Sequence, residues 1–343
     1  MSGGPPALSD EELVAVAARL REAGTQPAGA LRSRLIAGGR SNLTYRLEDG
    51  LSVWVLRMPP RVGRTPSAHD VAREYRVTSA LGAAGVPVAR PVVLCEDESV
   101  LGAPFAVADF VEGLTVQSRQ DLDQLDDSTL TSTTAQLVET LVAVHSVDHV
   151  AVGLERFGRP DAYAQRQLHR WSGQWEIVGH PSLAGQAGEL GRRLAAAQFD
   201  QRSTGVVHGD YRIDNTILDL DAPEGPRVAA VVDWELSTIG DPVADVALMC
   251  VYRHPALDLV LGLPSAWTSD RLPAPDRLAA AYEAAGGVPL VDWDQHLALG
   301  YFKLAVIAAG IDHRFRAGAA HGSGFDTAAQ AVAPLLDAGL NHI

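Results

Sequence analysis

Lysine is almost missing from this sequence. Of 28 basic residues only Lys303 is a lysine and the rest are arginine. With Ala, Gly and Val abundant, this reads as a compositional bias, so arginine is expected where other chains use lysine. Cysteine is nearly as scarce, with only Cys95 and Cys250, both in apolar surroundings. Two buried thiols do not make a disulfide scaffold and fit a cytoplasmic protein. No Cys/His spacing suggests zinc. The longest apolar runs fall far short of a membrane span. Residues 1–12 carry acidic side chains and no basic stretch, so no secretory signal is expected there. Positive charge is short overall: the formal net charge is −14. That argues against non-specific binding to nucleic acid or anionic membranes. It would suit a cationic substrate, although soluble enzymes are often acidic.

What is present reads as globular. The 343 residues are 47% hydrophobic and 20% charged, enough for one large domain or two ordinary ones. No internal repeat stands out, and Gly and Pro are scattered as turn residues. Ser9-Asp10-Glu11-Glu12 is a capping box ahead of a helix ending near Gly24. Two strand-like runs, residues 43–47 and 51–57, flank an Asp49-Gly50 hairpin signal. Residues 68–81 follow as a helix with Val71, Tyr75, Thr78 and Leu81 on one stripe. Residues 88–94 and 103–110 read as further strands. Beyond a connector at 111–113 the character changes to long helices at 129–145, 162–175 and 183–197. Short strands at 205–207 and 228–232 interrupt them, and helices return at 276–285, 295–309 and 327–338. The expected fold is α+β, with a β-rich N-terminal lobe over residues 1–110 and a larger helical lobe over residues 111–343.

One constellation carries chemistry. Val206-Val207-His208-Gly209-Asp210-Tyr211-Arg212-Ile213-Asp214-Asn215 is a strand entering a polar loop with an Asp and, five residues later, an Asn. Ala230-Val231-Val232-Asp233 is a second apolar strand ending in an Asp. Two adjacent strand ends can bring Asp210, Asn215 and Asp233 together. Phosphoryl transfer needs such a set: one carboxylate to take the proton of an attacking hydroxyl, and an amide oxygen with a second carboxylate to hold Mg2+. Hard oxygen donors suit magnesium and not zinc.

These motifs resemble the aminoglycoside phosphotransferase and choline kinase superfamily. The chain looks closest to the branch that also occurs fused to acyl-CoA dehydrogenases. The matching residues are Gly38-Gly39-Arg40-Ser41-Asn42-Leu43-Thr44-Tyr45, Val55-Leu56-Arg57, Ser67-Ala68-His69-Asp70-Val71-Ala72-Arg73-Glu74-Tyr75, the run from His208 to Asn215, Val232-Asp233-Trp234-Glu235, and Asp241-Pro242-Val243-Ala244-Asp245. They span nearly the whole chain, residues 30 to 320. The resemblance implies a bilobal protein-kinase-like fold and a cytoplasmic small-molecule kinase using ATP (GTP stays open) and Mg2+. It implies Asp210 as catalytic base, with His208 bracing the loop or transferring a proton, and Arg212 as a phosphate or substrate contact or a structural salt bridge. Asn215 and Asp233 match the metal ligands. Gly38, Gly39, Ser41 and Asn42 match the loop over the phosphates. Glu74 matches the helix partner of the strand cation, Phe110 and Glu112 the adenine hinge, and Asp241 and Asp245 supports of the loop.

Arg57 departs from the pattern, since many kinases carry lysine on this strand. Arginine can bind phosphate bidentately and pair with Glu74. The acceptor is less legible. Trp171 and Trp175 are core residues or a substrate wall. Lys303 snorkels from an apolar helix face or binds an anionic group, with Arg314 and Arg316 nearby. His145 and His149 read as surface or cap residues. The reaction expected is transfer of the γ-phosphoryl group to a small-molecule hydroxyl, of a hydroxyacyl or acyl-CoA type or, alternatively, of an aminoglycoside. A nucleotide-binding pseudokinase acting as a regulatory module is the reading from another class. A protein kinase is disfavoured, because D-F-G and A-P-E do not occur at the expected places.

Overall fold

The first helix forms where the capping box places it. In α1 (Asp10–Glu22) the Ser9 hydroxyl accepts the Glu12 N–H, and the Glu12 carboxylate accepts the Ser9 N–H at 2.8 Å. Two helix-start donors are thereby satisfied within four residues. The structure is a computed structural model, and it describes residues 7–37, 42–61, 70–318 and 324–343. Those residues divide into two compact units. One comprises Met1–Glu112 with Ala229–Ser237, the other Gly113–Val228 with Thr238–Ile343.

The first unit is built on an antiparallel sheet with strand order β1-β2-β3-β5-β4. Its strands are β1 (Arg32–Ala37), β2 (Leu43–Glu48), β3 (Val53–Met58), β4 (Pro91–Cys95) and β5 (Phe105–Asp109). The β2–β3 hairpin turns at Asp49-Gly50. Gly50 has φ of +95°, which favours glycine, and the Asp49 carboxylate accepts the N–H groups of Leu51 and Ser52. Burial alternates along both strands: Leu43, Tyr45 and Leu47 on β2, and Trp54, Leu56 and Met58 on β3, face one core with Val16 and Leu20 of α1. The strand period of two therefore sends Arg46 and Arg57 to the other face. A second helix, α2 (Val71–Ala83), starts on the Asp70 side chain and has Glu74 in its buried stripe with Val71, Val77 and Leu81. Between β4 and β5 lies one short helical turn, α3 (Glu98–Leu101). The strand expected at residues 88–94 begins later, at Pro91. Val88 instead makes a lone parallel bridge to Val231, and the Val231 N–H donates to the Pro87 carbonyl. That bridge ties Ala229–Ser237 into the first unit.

The second unit is mainly helical. It holds α4 (Arg119–Leu122), α5 (Asp127–His145), α6 (Tyr163–Val178), α7 (Ala184–Ala196), α8 (Pro242–Val251), α9 (Ala256–Leu261), α10 (Pro275–Ala284), α11 (Trp293–Arg316) and α12 (Ala328–Asn341). The helix α11 is buried along most of its length and packs against α6, α7, α8 and α12. Among the described residues the short strands between the helices number four, two more than expected. They are β6 (Gly205–Val207), β7 (Thr216–Asp219), β8 (Arg227–Val231) and β9 (Thr238–Gly240). Within β8 the chain passes from the second unit to the first. Three-residue β9 is too short to show a period, yet it pairs antiparallel with β6, Val206 opposite Ile239.

Candidate active site

Asp210 sits in the loop between β6 and β7. Its Oδ2 accepts from Arg212 Nη2 at 3.2 Å and from Asn215 Nδ2 at 3.0 Å, and Nδ2 also donates to the Asp210 carbonyl at 2.7 Å. The Asn215 nitrogen is thereby committed to the loop, so the amide oxygen points the other way. Arg212 also pairs with Asp214 at 3.2 Å and lies 4.9 Å from the centroid of the Tyr252 ring. Burial works against its charge, but the flanking Asp210 and Asp214 carboxylates raise its pKa above the usual arginine value. The Tyr252 phenol, held well above its ordinary pKa by burial and by Asp210, is a further neighbour of that carboxylate.

The backbone of the loop is clamped. Asp245, in the first turn of α8, accepts the N–H of His208 at 2.7 Å and of Gly209 at 2.8 Å. Gly209 has φ of +84°, which lets both amides face one carboxylate. His208 is fully buried, and its Nδ1 accepts the Asp210 N–H at 3.2 Å. His145, expected at the surface or a cap, is buried instead. It lies on the inner face of α5, where its Nε2 meets Asp245 at 3.2 Å and its Nδ1 meets the Tyr282 hydroxyl at 2.8 Å. A carboxylate only accepts, so Nε2 carries the proton and Nδ1 accepts from Tyr282. Burial would raise the pKa of Asp245. The hydrogen bonds it accepts from His145 and from the His208 N–H hold it below the usual carboxylate value. Asp241 caps α8 through the Val243 N–H, and burial pushes its pKa up to about 6.

The first unit carries a second cluster. Arg57 Nη2 lies 3.3 Å from Glu74 Oε1 and 3.5 Å from Asp233 Oδ1. Asp233, two residues past the end of β8, has φ of +66°, a left-handed conformation that costs a non-glycine residue energy and recurs at functional sites. Its Oδ1 is buried and accepts no hydrogen bond among the described residues. Glu74, Asp233 and Glu235 bring one carboxylate oxygen each within 4.8 Å of one another. Burial pushes the pKa of Glu74 up to about 7, against the opposing pull of Arg57.

The other expected site residues divide. Gly38, Gly39, Arg40 and Ser41 lie outside the described residues, as do Ser67, Ala68 and His69. Asn42 is buried at the start of β2, and neither its amide nitrogen nor its oxygen has a hydrogen-bond partner among the described residues. The Phe110 ring is half-buried with the Arg46 guanidinium 4.5 Å from its centroid, while Glu112 is exposed. Trp171 and Lys303 come together, with the ammonium 5.8 Å from the indole centroid. Trp175 instead covers Gly179 on its own helix end, and Arg314 is exposed in the last turn of α11. Tyr252, Tyr282 and His145 were not legible as site residues, because each reaches the loop only through the tertiary fold.

Residues 32–299 match the family model described as the phosphotransferase enzyme family. Acyl-CoA dehydrogenase family member 11 of Gallus gallus is 36% identical over 324 residues, 92% of this chain and 41% of that protein. Acyl-CoA dehydrogenase family member 10 of Mus musculus is 34% identical over 301 residues, 87% of this chain and 28% of that protein. The chain thus spans two fifths or less of the length of these relatives. A solved protein of Ralstonia eutropha, provisionally assigned as an aminoglycoside phosphotransferase, is 30% identical with a TM-score of 0.81, covering 96% of this chain and 97% of its own. Aminoglycoside phosphotransferase APH(4)-Ia, in its ternary complex with AMP-PNP and hygromycin B, shares the fold at 17% identity, with a TM-score of 0.62 and 96% and 98% of the two chains covered. The APH(2")-IIIa complex with GDP and kanamycin does so at 17% identity and 0.60, covering 91% and 94%. The chain belongs to the APH phosphotransferase enzyme family and has its kinase-like α+β fold.

Proposed function

We propose that this protein is an ATP- and Mg2+-dependent phosphotransferase that moves the γ-phosphoryl group to a hydroxyl of a small molecule. The observation that carries this reading is the Asp210 carboxylate, held by Arg212 and Asn215 in a loop whose two preceding amides are fixed on Asp245. A general base needs its carboxylate held in place and within hydrogen-bond reach of the proton it takes. In this reading the acceptor hydroxyl gives its proton to Asp210 as its oxygen attacks the γ-phosphorus. The bond from that phosphorus to the bridging oxygen breaks, and ADP leaves with the electron pair. His208 and Arg212 hold the loop; neither moves a proton.

The first unit is assigned the nucleotide and the second the acceptor. Arg57 stands where a phosphate-binding strand cation is required, with Glu74 as its partner. Asn42 and Phe110 lie on the nucleotide side of this assignment, together with Gly38, Gly39, Ser41 and Glu112. Asn215 of the second unit and Asp233 of the first are each assigned as a metal ligand on donor chemistry alone. Both offer hard oxygens, Asp233 Oδ1 accepts no hydrogen bond among the described residues, and the Asn215 oxygen is turned out of its own loop. Bound there, Mg2+ would neutralise charge on the phosphates. The AMP-PNP and GDP complexes of the distant fold relatives leave both ATP and GTP as donors to be tested.

For the acceptor, a hydroxyacyl or acyl-CoA-type alcohol is favoured over an aminoglycoside. The Lys303 ammonium beside the Asp210 loop would repel a polycation, and relatives 36% and 34% identical to this chain are acyl-CoA dehydrogenase family members. The test is ATP consumption by the purified protein against aminoglycosides, choline-type alcohols and hydroxyacyl-CoAs. Acceptor-dependent ADP release with hydroxyacyl-CoAs alone is the expected result. Release with aminoglycosides alone overturns the acceptor assignment. Protein that binds nucleotide and consumes none with any class fits the pseudokinase reading instead.

A further inference from the structure

The single lysine has so far been given only an electrostatic part. Every other basic residue of the 28 is an arginine, so an ammonium at this one place calls for a reason. Lys303 lies on α11, and its Nζ donates to the Gly209 carbonyl at 3.1 Å. The same ammonium faces the Trp171 ring of α6. Together with Gly209, Asp245 and Gln167, these residues line a small cavity of about 30 Å3.

The Gly209 carbonyl belongs to the peptide bond that leads into Asp210. The nitrogen side of that bond, the Asp210 N–H, is on His208 Nδ1. The preceding amide, the Gly209 N–H, is on Asp245. Lys303 thus supplies the remaining restraint on that peptide, and it does so from a helix 94 residues away in sequence. Rotating the peptide would break this bond and swing the Asp210 side chain. A guanidinium is a poor substitute. Its planar fork suits two in-plane acceptors, whereas a single carbonyl beside a small cavity suits a compact ammonium.

We propose that Lys303 is a positioning residue for Asp210: its ammonium holds the Gly209 carbonyl and thereby sets the direction from which the carboxylate meets the acceptor hydroxyl. The inference rests on the phosphotransferase reading for the hydroxyl, and on geometry alone for the restraint. The charged groups facing Lys303 are Asp210 and Asp245, which favour its charge, and Arg170 of α6, which opposes it. Tyr163 and His296 complete the titratable lining. Burial holds the Lys303 pKa below the usual lysine value. The buried ammonium is therefore not a net source of stability, because an ion taken out of water recovers only part of its solvation.

The test is steady-state ADP release from Mg·ATP by wild type, Lys303→Met and Lys303→Arg, with thermal midpoints measured on the same samples. The expected result is a kcat about 10-fold lower or more in both variants, with KM for ATP within about 2-fold and a thermal midpoint unchanged or raised. Wild-type turnover in Lys303→Met overturns the inference. So does a kcat loss matched by an equal loss of thermal stability, which would mark a structural residue. A wild-type protein that releases no ADP overturns the phosphotransferase reading and takes this inference with it. If Lys303→Met does not fold, Lys303→Arg decides: a folded Lys303→Arg protein with kcat lowered about 10-fold and KM for ATP within about 2-fold supports the proposal, and one with wild-type turnover overturns it.

Discussion

At the scale of residues, Asp245 bears the greatest structural demand. One buried carboxylate accepts two backbone amides and an imidazole N–H, and its pKa lies below the ordinary 3.8. A carboxylate with a depressed folded pKa binds its proton more readily in the unfolded chain. Its contribution to stability is full above 3.8 and is lost as pH falls through the folded value. Asp245→Asn should cost about 3 kcal/mol at neutral pH, because it breaks a buried charged network from one side. Urea midpoints of the two proteins should converge as pH falls below 3.8. A gap between them that does not change with pH would show that the charge of Asp245 is not what holds the loop. The Asp245 position was legible in the sequence as part of the last motif. Its partners were not. His145 and Tyr282 lie 137 residues apart, and nothing local in a helical run announces that a histidine will face inward onto a carboxylate.

At the scale of elements, local signals were the most legible. The capping box of α1, the Asp49-Gly50 turn and the alternation in β2 and β3 each act within a few residues, so the sequence alone specifies them. Ser9→Ala removes one acceptor at the start of α1 and should lower unfolding stability by about 1 kcal/mol, measured by urea titration. An unchanged midpoint would mean that the packing of Leu13, Val16 and Leu20 holds the helix without its cap. Elements made by pairing were less legible. Strand β9 has three residues and exists because Gly240 and Ile239 meet β6. An added Cβ on Gly240 would come within 2.6 Å of the Tyr163 ring, so this glycine answers to a packing neighbour far off in sequence. Val88, read as a strand, makes only a bridge, because Pro91 is where ladder pairing with β5 begins.

At the scale of the whole molecule, family and fold were legible because the motifs stand in order along nearly the whole chain. The division of labour between residues was harder to read. Arg57 reached both Glu74 and Asp233, a pairing that strand and helix spacing anticipated only for Glu74. Trp171 and Lys303 met, while Trp175 lies against Gly179 and Arg314 is exposed. The α6 and α11 faces that bring Trp171 and Lys303 together meet only in the tertiary fold, so no local pattern announced the pair.

The most direct test of the central claim is the rate of γ-phosphoryl transfer from labelled ATP by wild type and Asp210→Asn. The comparison uses whichever acceptor class supports turnover, with nucleotide affinity measured in parallel. The account predicts an Asp210→Asn protein that folds and binds ATP as wild type does, with transfer reduced by a factor of about 10² or more. Transfer close to the wild-type rate in that variant would contradict it.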